Sequence, residues 1–384
     1  MGGRATPLAG LRVVELARVL AGPFAGQTLA DLGADVIKVE SPEGDGTRQW
    51  GPPWIERGGE RAAAYYHACN RGKRSVVADF ADPADRAMVA GLCAGADVVI
   101  ENFKAGTLAR FGLDYAALAA RNPRLVYCSI TGFGLDGPRR EEPGYDFVIQ
   151  GMSGLMGLTG EPGGAPMKAG VSISDLACGL YSTIAIQAAL LMRERTGTGQ
   201  HIDMALLDCS VSLLANQAMS YFASGTNPPR MGNSHAQVVP YGVYRAADGE
   251  VVLAPANDRL FGVLMRALAR DDLAGDPRLA DNAGRIAHRE WLEAEIAREI
   301  ARWARDDLLA ACRESGVPAG PINDCAAVFA DPQVAARGMR IDPDGVPGLR
   351  SPFRFSDAGL ALDRPSPRQG EHGRQRGTAP RWRD

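Results

Sequence analysis

The sequence predicts an α/β protein with a doubly wound, Rossmann-like parallel sheet in a large domain and a smaller α+β domain. Short β-branched apolar runs alternate with stretches of helical spacing from residue 11 to residue 130. Beyond residue 227 the pattern changes, and Asp248-Gly249 between two apolar runs indicates a β-hairpin. The chain has 384 residues, of which 46% are hydrophobic, so it is long enough for two domains.

The first elements form a strand, helix, strand unit. Residues 11–16 predict a strand, 24–32 a helix that ends at Gly33, and 35–39 a second strand. The same pattern predicts strands at 75–80, 97–101, 125–130 and 201–205, and helices at 84–94 and 175–195. Because such alternation builds a parallel sheet covered by helices, we expect ligands at the carboxyl ends of the strands, after Leu16, Val39 and Glu101.

The small domain begins at residue 227 in this interpretation. Strands at 241–246 and 250–254 flank the hairpin turn, and helices follow at 259–269 and 289–305. We assign 1–226 to the large Rossmann-like domain, 227–320 to the small α+β domain, and 321–384 to a return segment that completes the large one. The Pro- and Arg-rich tail after Arg364 predicts an extended or frayed terminus.

Charge and cysteine content limit the partners. With 42 basic and 45 acidic side chains the formal net charge is −3, which gives no reason to expect nucleic acid or an anionic membrane as partner. The seven cysteines lack C-x-x-C spacing and lie in apolar stretches, which is typical of reduced core residues. No run of about 20 apolar residues and no signal-peptide pattern is present, so we expect a cytoplasmic protein without a membrane span.

Several common kinds of active site are disfavoured. The first strand-to-helix turn, residues 17–23, lacks G-x-G-x-x-G, so a Rossmann dinucleotide site is not expected. The turn is either an anion cradle at a helix N-terminus or an ordinary turn. The five histidines have no metal-ligand spacing and no serine lies in G-x-S-x-G, so we expect neither a metal nor a hydrolase nucleophile.

Two loops carry cations next to predicted strands. Residues 70–75 read NRGKRS, with Arg71, Lys73 and Arg74 directly before a strand. Asn102 and Phe103 follow another strand, with Arg110 farther along. Together they could grip a polyphosphate and stack an aromatic base, whereas the alternative is a solvated charged face.

Asp175 lies between a glycine-rich segment and a long apolar helix. One interpretation is structural, with Ser174 as the helix cap and Asp175 complementing the helix dipole in the first turn. The other makes Asp175 a carboxylate nucleophile, placed where glycine lets a substrate come close. Position alone does not decide between them.

Several motifs that occur in a fixed order along the chain resemble those of a known family, and this resemblance favours the interpretation of Asp175 as a nucleophile. The chain resembles the class III CoA-transferases (CaiB/BaiF type) over most of its length, through PLAG (7–10), VLAGP (19–23), LGADVIKVE (32–40), GDGTR (44–48), NRGKRS (70–75), ENF (101–103), TGFG (131–134), GVSISD (170–175) and GVPAGPI (316–322). The resemblance implies Asp175 as the catalytic residue, coenzyme A as co-substrate without a permanently bound cofactor, and an interlocked homodimer. It also implies CoA contacts at Val19, Ala21, Asn102, Phe103 and Arg110, to which we add Arg71, Lys73, Arg74 and Tyr145 as candidates.

The resemblance implies CoA exchange between an acyl-CoA donor and a short carboxylic or dicarboxylic acid, through an aspartyl-CoA thioester. The chain is most similar in wording to the succinyl-CoA:glutarate or hydroxymethylglutarate branch. The alternative within the same fold family is an α-methylacyl-CoA racemase, which needs an acid and a base on opposite faces of the substrate. Racemases carry a histidine where this chain has Tyr145, and an acidic residue where the nearest match is Asn257. Both departures favour the transferase.

Overall fold

The structure is a computed structural model that describes residues 4–373 and 380–383. The chain forms two compact units. The larger contains the described residues of Met1–Met156, Lys168–Thr226 and Pro332–Asp384, and the smaller contains Gly157–Met167 and Asn227–Asp331.

A six-stranded parallel sheet forms the centre of the larger unit. Its strands are β1 (Arg12–Glu15), β2 (Asp35–Glu40), β3 (Arg74–Val77), β4 (Val98–Glu101), β5 (Val126–Thr131) and β6 (His201–Ala205). The spatial order is β3-β2-β1-β4-β5-β6, and Val13 of β1 pairs with Val36 on one side and Val98 on the other. This is the Rossmann order, which confirms the predicted fold class and puts the reversal of strand order between β1 and β4.

Helices cover both faces of the sheet. The ones used below are α1 (Ala21–Asp31), α2 (Pro83–Ala94), α3 (Asp146–Met152) and α4 (Ile173–Thr196). α1 and α4 share one core with Val13 and Val98, and α2 shares the other with Val14 and Val99. The unit also contains the helices Ala64–His67, Tyr115–Ala119, Leu206–Ser212, Ala215–Ser224 and Pro332–Ala336, the 3-10 turns Gly46–Gln49, Leu108–Phe111 and Pro343–Gly345, and the hairpins Trp54–Arg57/Glu60–Ala63 and Arg340–Ile341/Gly348–Leu349. Helix Leu155–Leu158 spans the junction of the units.

α4 is long and apolar enough to cross a membrane by length and composition, with a mean hydropathy of 1.4. One side of it is buried in the core with α1 through Cys178, Ile186 and Ala189. A Cβ atom on Gly179 would lie 2.7 Å from the carbonyl oxygen of Ala21, so glycine is what lets the two helices approach closely. These contacts identify α4 as a core helix of the α/β unit.

The smaller unit is built on a three-stranded antiparallel sheet. Strands β7 (Gly242–Arg245) and β8 (Glu250–Leu253) form the predicted hairpin, and β9 (Ala319–Pro321) pairs with β8 on its other side. The helices of this unit are Asp258–Ala267, Asp271–Ala274, Asn282–Ala287, Arg289–Ile300, Arg305–Ser315 and Cys325–Ala330, with a 3-10 turn at Pro277–Leu279. The helix predicted at 289–305 ends at Ile300, and a new helix starts at Arg305, whose N–H donates to the Asp248 carboxylate (2.7 Å).

The small unit also contains residues 157–167, which the sequence had placed in the large domain, and it extends to Asp331 instead of 320. Backbone contacts give the reason. The Gly232 N–H donates to the Gly160 carbonyl (3.0 Å), and Arg230 Nη2 donates to the Gly164 carbonyl (2.6 Å).

The tail is better anchored than the sequence predicts. The N–H groups of Gly370 and His372 donate to the Ser75 hydroxyl and carbonyl, both at 2.9 Å, and Ser366 is buried. The prediction of fraying is therefore wrong for 365–373, since this segment covers the open edge of β3. The remainder of that prediction, at 374–379 and 384, lies outside the described residues.

The cysteines agree with the prediction in all but one position. Every cysteine is a free thiol, and six of the seven are buried. Cys325 is exposed at the start of a small-unit helix, which corrects the expectation of a core position.

Four fully buried charges hold the centre of the sheet together. The Lys38 ammonium lies 3.0 Å from both a Glu15 and an Asp45 carboxylate oxygen, and the Lys73 ammonium lies 2.7 Å from the other Glu15 oxygen. Lys73 also donates to the carbonyl of Pro23 in the first turn of α1. Because each ion is desolvated, the removal of one leaves its partner buried and uncompensated.

We therefore expect Lys73→Met to lower the free energy of unfolding by about 3–5 kcal/mol, measured by urea unfolding followed by circular dichroism. Arg124→Ala is the control, because Arg124 forms an exposed pair with Glu194 (2.7 Å) worth about 0–1 kcal/mol. Equal unfolding midpoints for the two variants would contradict the structural role of Lys73.

Candidate functional site

The turn after β1 is fixed by a side chain from the end of β4. Asn102 Oδ1 accepts the Arg18 N–H (2.8 Å), and Asn102 Nδ2 donates to the Arg18 carbonyl (2.7 Å). The amide of Asn102 thus binds the Arg18 backbone as a neighbouring strand would. It ties together the two loops that flank the point where the strand order reverses.

Val19, the next residue, has a left-handed backbone with φ of +71°. This conformation is costly for a β-branched residue and persists only where its surroundings enforce it. Here the Val19 N–H donates to Asp45 Oδ2 (3.3 Å), and the Cys69 thiol contacts the Val19 carbonyl oxygen (3.5 Å). Since Asp45 is itself held by Lys38, the buried charges set the shape of this turn.

Aromatic and cationic side chains surround the same strand ends. The half-buried Phe103 ring lies against Phe80 (6.1 Å between centroids), and the Arg18 guanidinium is 5.1 Å from the Phe103 centroid. Arg110 is exposed in the 3-10 turn that follows, and Lys104 pairs with Glu141 across 3.2 Å. Ala21 is buried in the first turn of α1, so only its backbone could serve a ligand.

Arg71, Lys73 and Arg74 face inward. Arg71 binds Asp31 with two hydrogen bonds (3.1 and 2.5 Å), Arg74 binds Asp35 likewise (3.0 and 2.5 Å), and Lys73 binds Glu15. All three are at most 6% exposed. This corrects the expectation that the loop offers free charges to phosphates, and it also corrects the alternative of a solvated face, because the sequence alone did not show the three carboxylates.

Asp175 is half-buried in the first turn of α4. The backbone of this turn is bound by a side chain from another helix, because Asp146 Oδ1 accepts the N–H groups of Ser174 (2.9 Å) and Asp175 (3.4 Å). The prediction that Ser174 caps the helix is therefore wrong, and its hydroxyl is buried without a hydrogen-bond partner among the described residues. Asp146 satisfies two N–H groups that a helix start leaves free.

Asp146 is held in turn by its own neighbours. The Gln150 side chain donates to Asp146 Oδ2 (2.7 Å) and accepts the Ala169 N–H (2.9 Å), so it links α3 to the segment before α4. Gly132 and Gly144 touch each other, since a Cβ on Gly132 would lie 2.7 Å from the Gly144 Cα. This contact puts the start of α3 at the carboxyl end of β5.

The surroundings of Asp175 disfavour its charged form. Burial, followed by the negative charge of Asp146, raises the pKa of Asp175 from its ordinary value near 3.8 to about 7. The pKa of the Tyr65 phenol is raised as well, by burial first and also by the charges of Asp175 and Asp146, against a hydrogen bond with Ser172 that lowers it. A carboxyl group with such a pKa can act as nucleophile or proton carrier near neutral pH.

Tyr65 connects the two halves of the candidate site. Its phenol faces Ser172 and Asp175, and the Cys69 thiol, one turn later in the chain, contacts the Val19 carbonyl. The structure thus brings Val19, Asn102 and Phe103 together at the ends of β1 and β4. Tyr65 lies near Asp175 and is only four residues before Cys69, which contacts the Val19 turn. Tyr145 begins α3 with a side chain that is 65% exposed.

Sequence reasoning missed Tyr65, Asp146 and Gln150 as site residues. Asp146 had one available signal, because it directly follows Tyr145 in the position that separates transferases from racemases. Nothing in the local sequence indicates that Tyr65 lies near the start of α4 or that Gln150 binds Asp146 and the segment before α4.

The chain matches a family model and several known proteins. The model described as CoA-transferase family III matches residues 8–373. A succinate–glutarate CoA-transferase of Agrobacterium fabrum is 54% identical over 97% of this chain and 95% of its own length. A mouse succinyl-CoA:glutarate CoA-transferase is 38% identical over 96% of this chain and 85% of its own.

Solved structures agree with these matches. The crystal structure of a CAIB/BAIF family protein from Brucella suis superimposes with a TM-score of 0.88 at 61% identity, over 96% of this chain and 98% of that one. The resemblance identified from the motifs is confirmed by matches over nearly the whole length. The chain therefore belongs to CoA-transferase family III, and it is a CoA-transferase.

Proposed function

We propose that the protein moves CoA from an acyl-CoA donor to a short dicarboxylic acid through a thioester formed on Asp175. The observation that carries this proposal is the placement of Asp175, a half-buried carboxyl with a raised pKa in the first turn of a long helix. The start of a helix favours negative charge and presents N–H groups, which suits a site where oxyanions form.

Each step of the reaction conserves the activated acyl bond. An Asp175 oxygen attacks the donor thioester carbon, the C–S bond breaks, and a mixed anhydride and CoA thiolate result. The thiolate then attacks the Asp175 carbonyl carbon, which releases the donor acid and leaves aspartyl-CoA. The acceptor carboxylate repeats the two steps in reverse and regenerates the Asp175 carboxylate. A site poor in water protects both intermediates from hydrolysis.

The strand ends at the switch point support a position for CoA. We place the adenine beside Asn102 and Phe103, the phosphates toward the exposed Arg110, and the pantetheine arm past the Val19 turn toward Asp175. Phe103 supplies an aromatic surface, and Arg110 has no carboxylate partner among the described residues. Arg71, Lys73 and Arg74 are left out, because carboxylates already neutralise them. We keep Ala21 as a candidate CoA contact through its backbone, and Tyr145 as a candidate CoA contact through its exposed side chain.

The substrates follow from the relatives' names. Both transferases reported above are named for glutarate, with succinate or succinyl-CoA as the other substrate. We propose succinyl-CoA as donor and glutarate or a hydroxylated relative as acceptor. A CoA-exchange screen of succinyl-CoA against a panel of dicarboxylates tests this choice.

We also propose a homodimer in the cytoplasm. α3 and α4 expose large apolar side chains on their outer sides, including Phe147 at 60%, Ile184 at 61% and Leu191 at 71%. We propose that a second copy of the chain covers these side chains, because large exposed apolar surfaces usually mark interfaces. Buried free thiols fit a reducing compartment.

Substitution of Asp175 tests the mechanism. We expect Asp175→Asn to lower kcat for CoA exchange at least about a thousandfold, because the amide cannot store the acyl bond. The variant should also be more stable than the wild type at pH 8, by about 1–2 kcal/mol. A raised pKa contributes stability that is present below about pH 4 and lost as the pH rises through 7, so the difference should vanish in acid. Exchange at a wild-type rate would refute the role of Asp175.

The racemase alternative is tested with the same preparation. A racemase must introduce solvent deuterium at the α-carbon of a 2-methylacyl-CoA, whereas the transferase reaction leaves that carbon untouched. Rapid deuterium uptake without CoA transfer to any added acid would replace the transferase by a racemase.

The pH profile tests the influence of Asp146. Wild-type kcat/KM should rise with pH through about 7, as Asp175 loses its proton. Asp146→Asn keeps an oxygen for the helix N–H groups but removes the charge, so the pKa of Asp175 should fall. A fall of about one unit raises the carboxylate fraction at pH 6 about fivefold. The exposed Asp136→Asn is the control, and identical profiles for all three proteins would contradict the coupling.

Arg110→Ala tests the CoA position. We expect KM to rise about tenfold, and by similar factors for different acyl-CoAs, because the phosphates are common to all of them. Arg121→Ala is the matched control, because Arg121 is an exposed arginine that precedes β5, at the amino end of that strand. An effect confined to one acyl donor would mean that Arg110 contacts the acyl group instead.

Light scattering tests the dimer. The wild type should have twice the chain mass of 40.7 kDa, and Ile184→Glu should shift it toward the monomer. Leu349→Glu, which replaces an equally exposed residue (61%) on a separate hairpin, should leave the mass unchanged. A monomeric wild type would disprove the proposal.

A further inference from the structure

A polar cavity in the large unit is lined by none of the residues assigned to the candidate active site. It has a volume of about 240 Å³ and is bordered by the hairpin 54–63, the helix Ala64–His67 and the return segment at 366–369. The cavity is smaller than the roughly 300–1,000 Å³ of pockets for drug-sized ligands, so it suits a small molecule and not CoA.

Four arginines line this cavity. Arg48 binds Glu40 with two hydrogen bonds of 2.8 Å, and Arg57 binds Asp344 (3.1 Å) and Glu371 (3.0 Å). Even so, Nη1 of Arg48 and Nη2 of Arg57 have no hydrogen-bond partner in the described part of the chain. Both guanidinium groups therefore retain donors for a ligand.

Arg61 and Arg368 add further positive charge. Arg61 stacks 4.6 Å from the Trp54 ring and has no carboxylate partner within residues 4–373 and 380–383. Arg368 Nη1 donates to the Gly58 carbonyl (3.1 Å), and its other contact is with Glu371 at 3.5 Å. Glu60 also lines the cavity, and a carboxylate at this position repels a nearby anion.

His67 provides the second, independent observation. It is 8% exposed, its Nδ1 lies 2.5 Å from the Ser366 hydroxyl, and its buried Nε2 has no partner among the described residues. An unpaired buried nitrogen is costly, and such a group needs an explanation. In the tautomer in which the Ser366 hydroxyl donates to Nδ1, the ring proton lies on Nε2, and Nε2–H is then a donor for a ligand.

We propose that this cavity is a binding site for a small dianion, phosphate or a short dicarboxylate, held by His67 Nε2 and the unpaired guanidinium donors of Arg48, Arg57 and Arg61. The compact set of N–H donors and the excess of lining cations match a doubly charged oxyanion. The ligand would link the hairpin to the return segment that covers β3. The pKa of His67 is lowered to about 4 by burial, Arg48 and Arg57, and a bound anion opposes the effect of these cations.

Calorimetric titration of the full-length enzyme in phosphate-free buffer tests the site, without any use of transferase activity. One arm uses inorganic phosphate and the other glutarate, and in each arm the site is identified as the component of binding that Arg61→Gln weakens, because glutarate is also the proposed acceptor at Asp175. We expect one such saturable component per chain, weakened about tenfold by Arg61→Gln, which removes an exposed charge-assisted donor. The arm in which this component is tighter identifies the class of dianion. His67→Phe should weaken binding as well, while Arg124→Gln, at a separate exposed pair, should leave it unchanged.

Three results would overturn the proposal. One is the absence of saturable binding in both arms. Another is binding that neither Arg61→Gln nor His67→Phe weakens. The third is competitive displacement by CoA, which would make the cavity part of the CoA site. Because the readout is binding, these outcomes are independent of the outcome for Asp175.

Discussion

The carboxylate of Asp146 on the first turn of α4 is the interaction on which the candidate active site depends. It binds the N–H groups of Ser174 and Asp175, so it fixes the backbone from which the Asp175 side chain projects. Its charge also contributes, after burial, to the raised pKa of Asp175. One side chain therefore both positions the proposed nucleophile and destabilises its charged form. The folded protein is therefore less stable when Asp175 is charged, and such a loss of stability at a reactive group is common in enzymes.

A second constraint acts on the opposite half of the site. Lys38 holds Asp45, and Asp45 binds the N–H of Val19 in its left-handed conformation. The charged side chains lie in the interior of the sheet, while the turn whose shape they set lies at the carboxyl end of β1. The same sheet core that determines the fold thus also determines the shape of the Val19 turn in the candidate site. Tyr65 and Cys69 connect this turn to the region of Asp175.

The sequence was sufficient for the scaffold, because the periodicity of apolar residues is a local property. The strands of the parallel sheet, α4 and the hairpin around Asp248 all follow from it. Charged residues were harder to place, since their partners are distant in sequence. Arg71 pairs with Asp31 and Arg74 with Asp35, and only the folded sheet brings these groups together. For the same reason Asp175 could be named from its motif, whereas Asp146, whose charge raises the pKa of Asp175, and Tyr65, which lies near both, could not.

The most direct test of the account is whether Asp175 carries CoA during turnover. The enzyme is incubated with succinyl-CoA in the absence of acceptor, quenched with hydroxylamine, digested and analysed by mass spectrometry. The proposed thioester mechanism predicts a hydroxamate on the peptide that contains Asp175, formed only when acyl-CoA is present and absent from Asp175→Asn. An unmodified Asp175 in a preparation that exchanges CoA at full rate would contradict it.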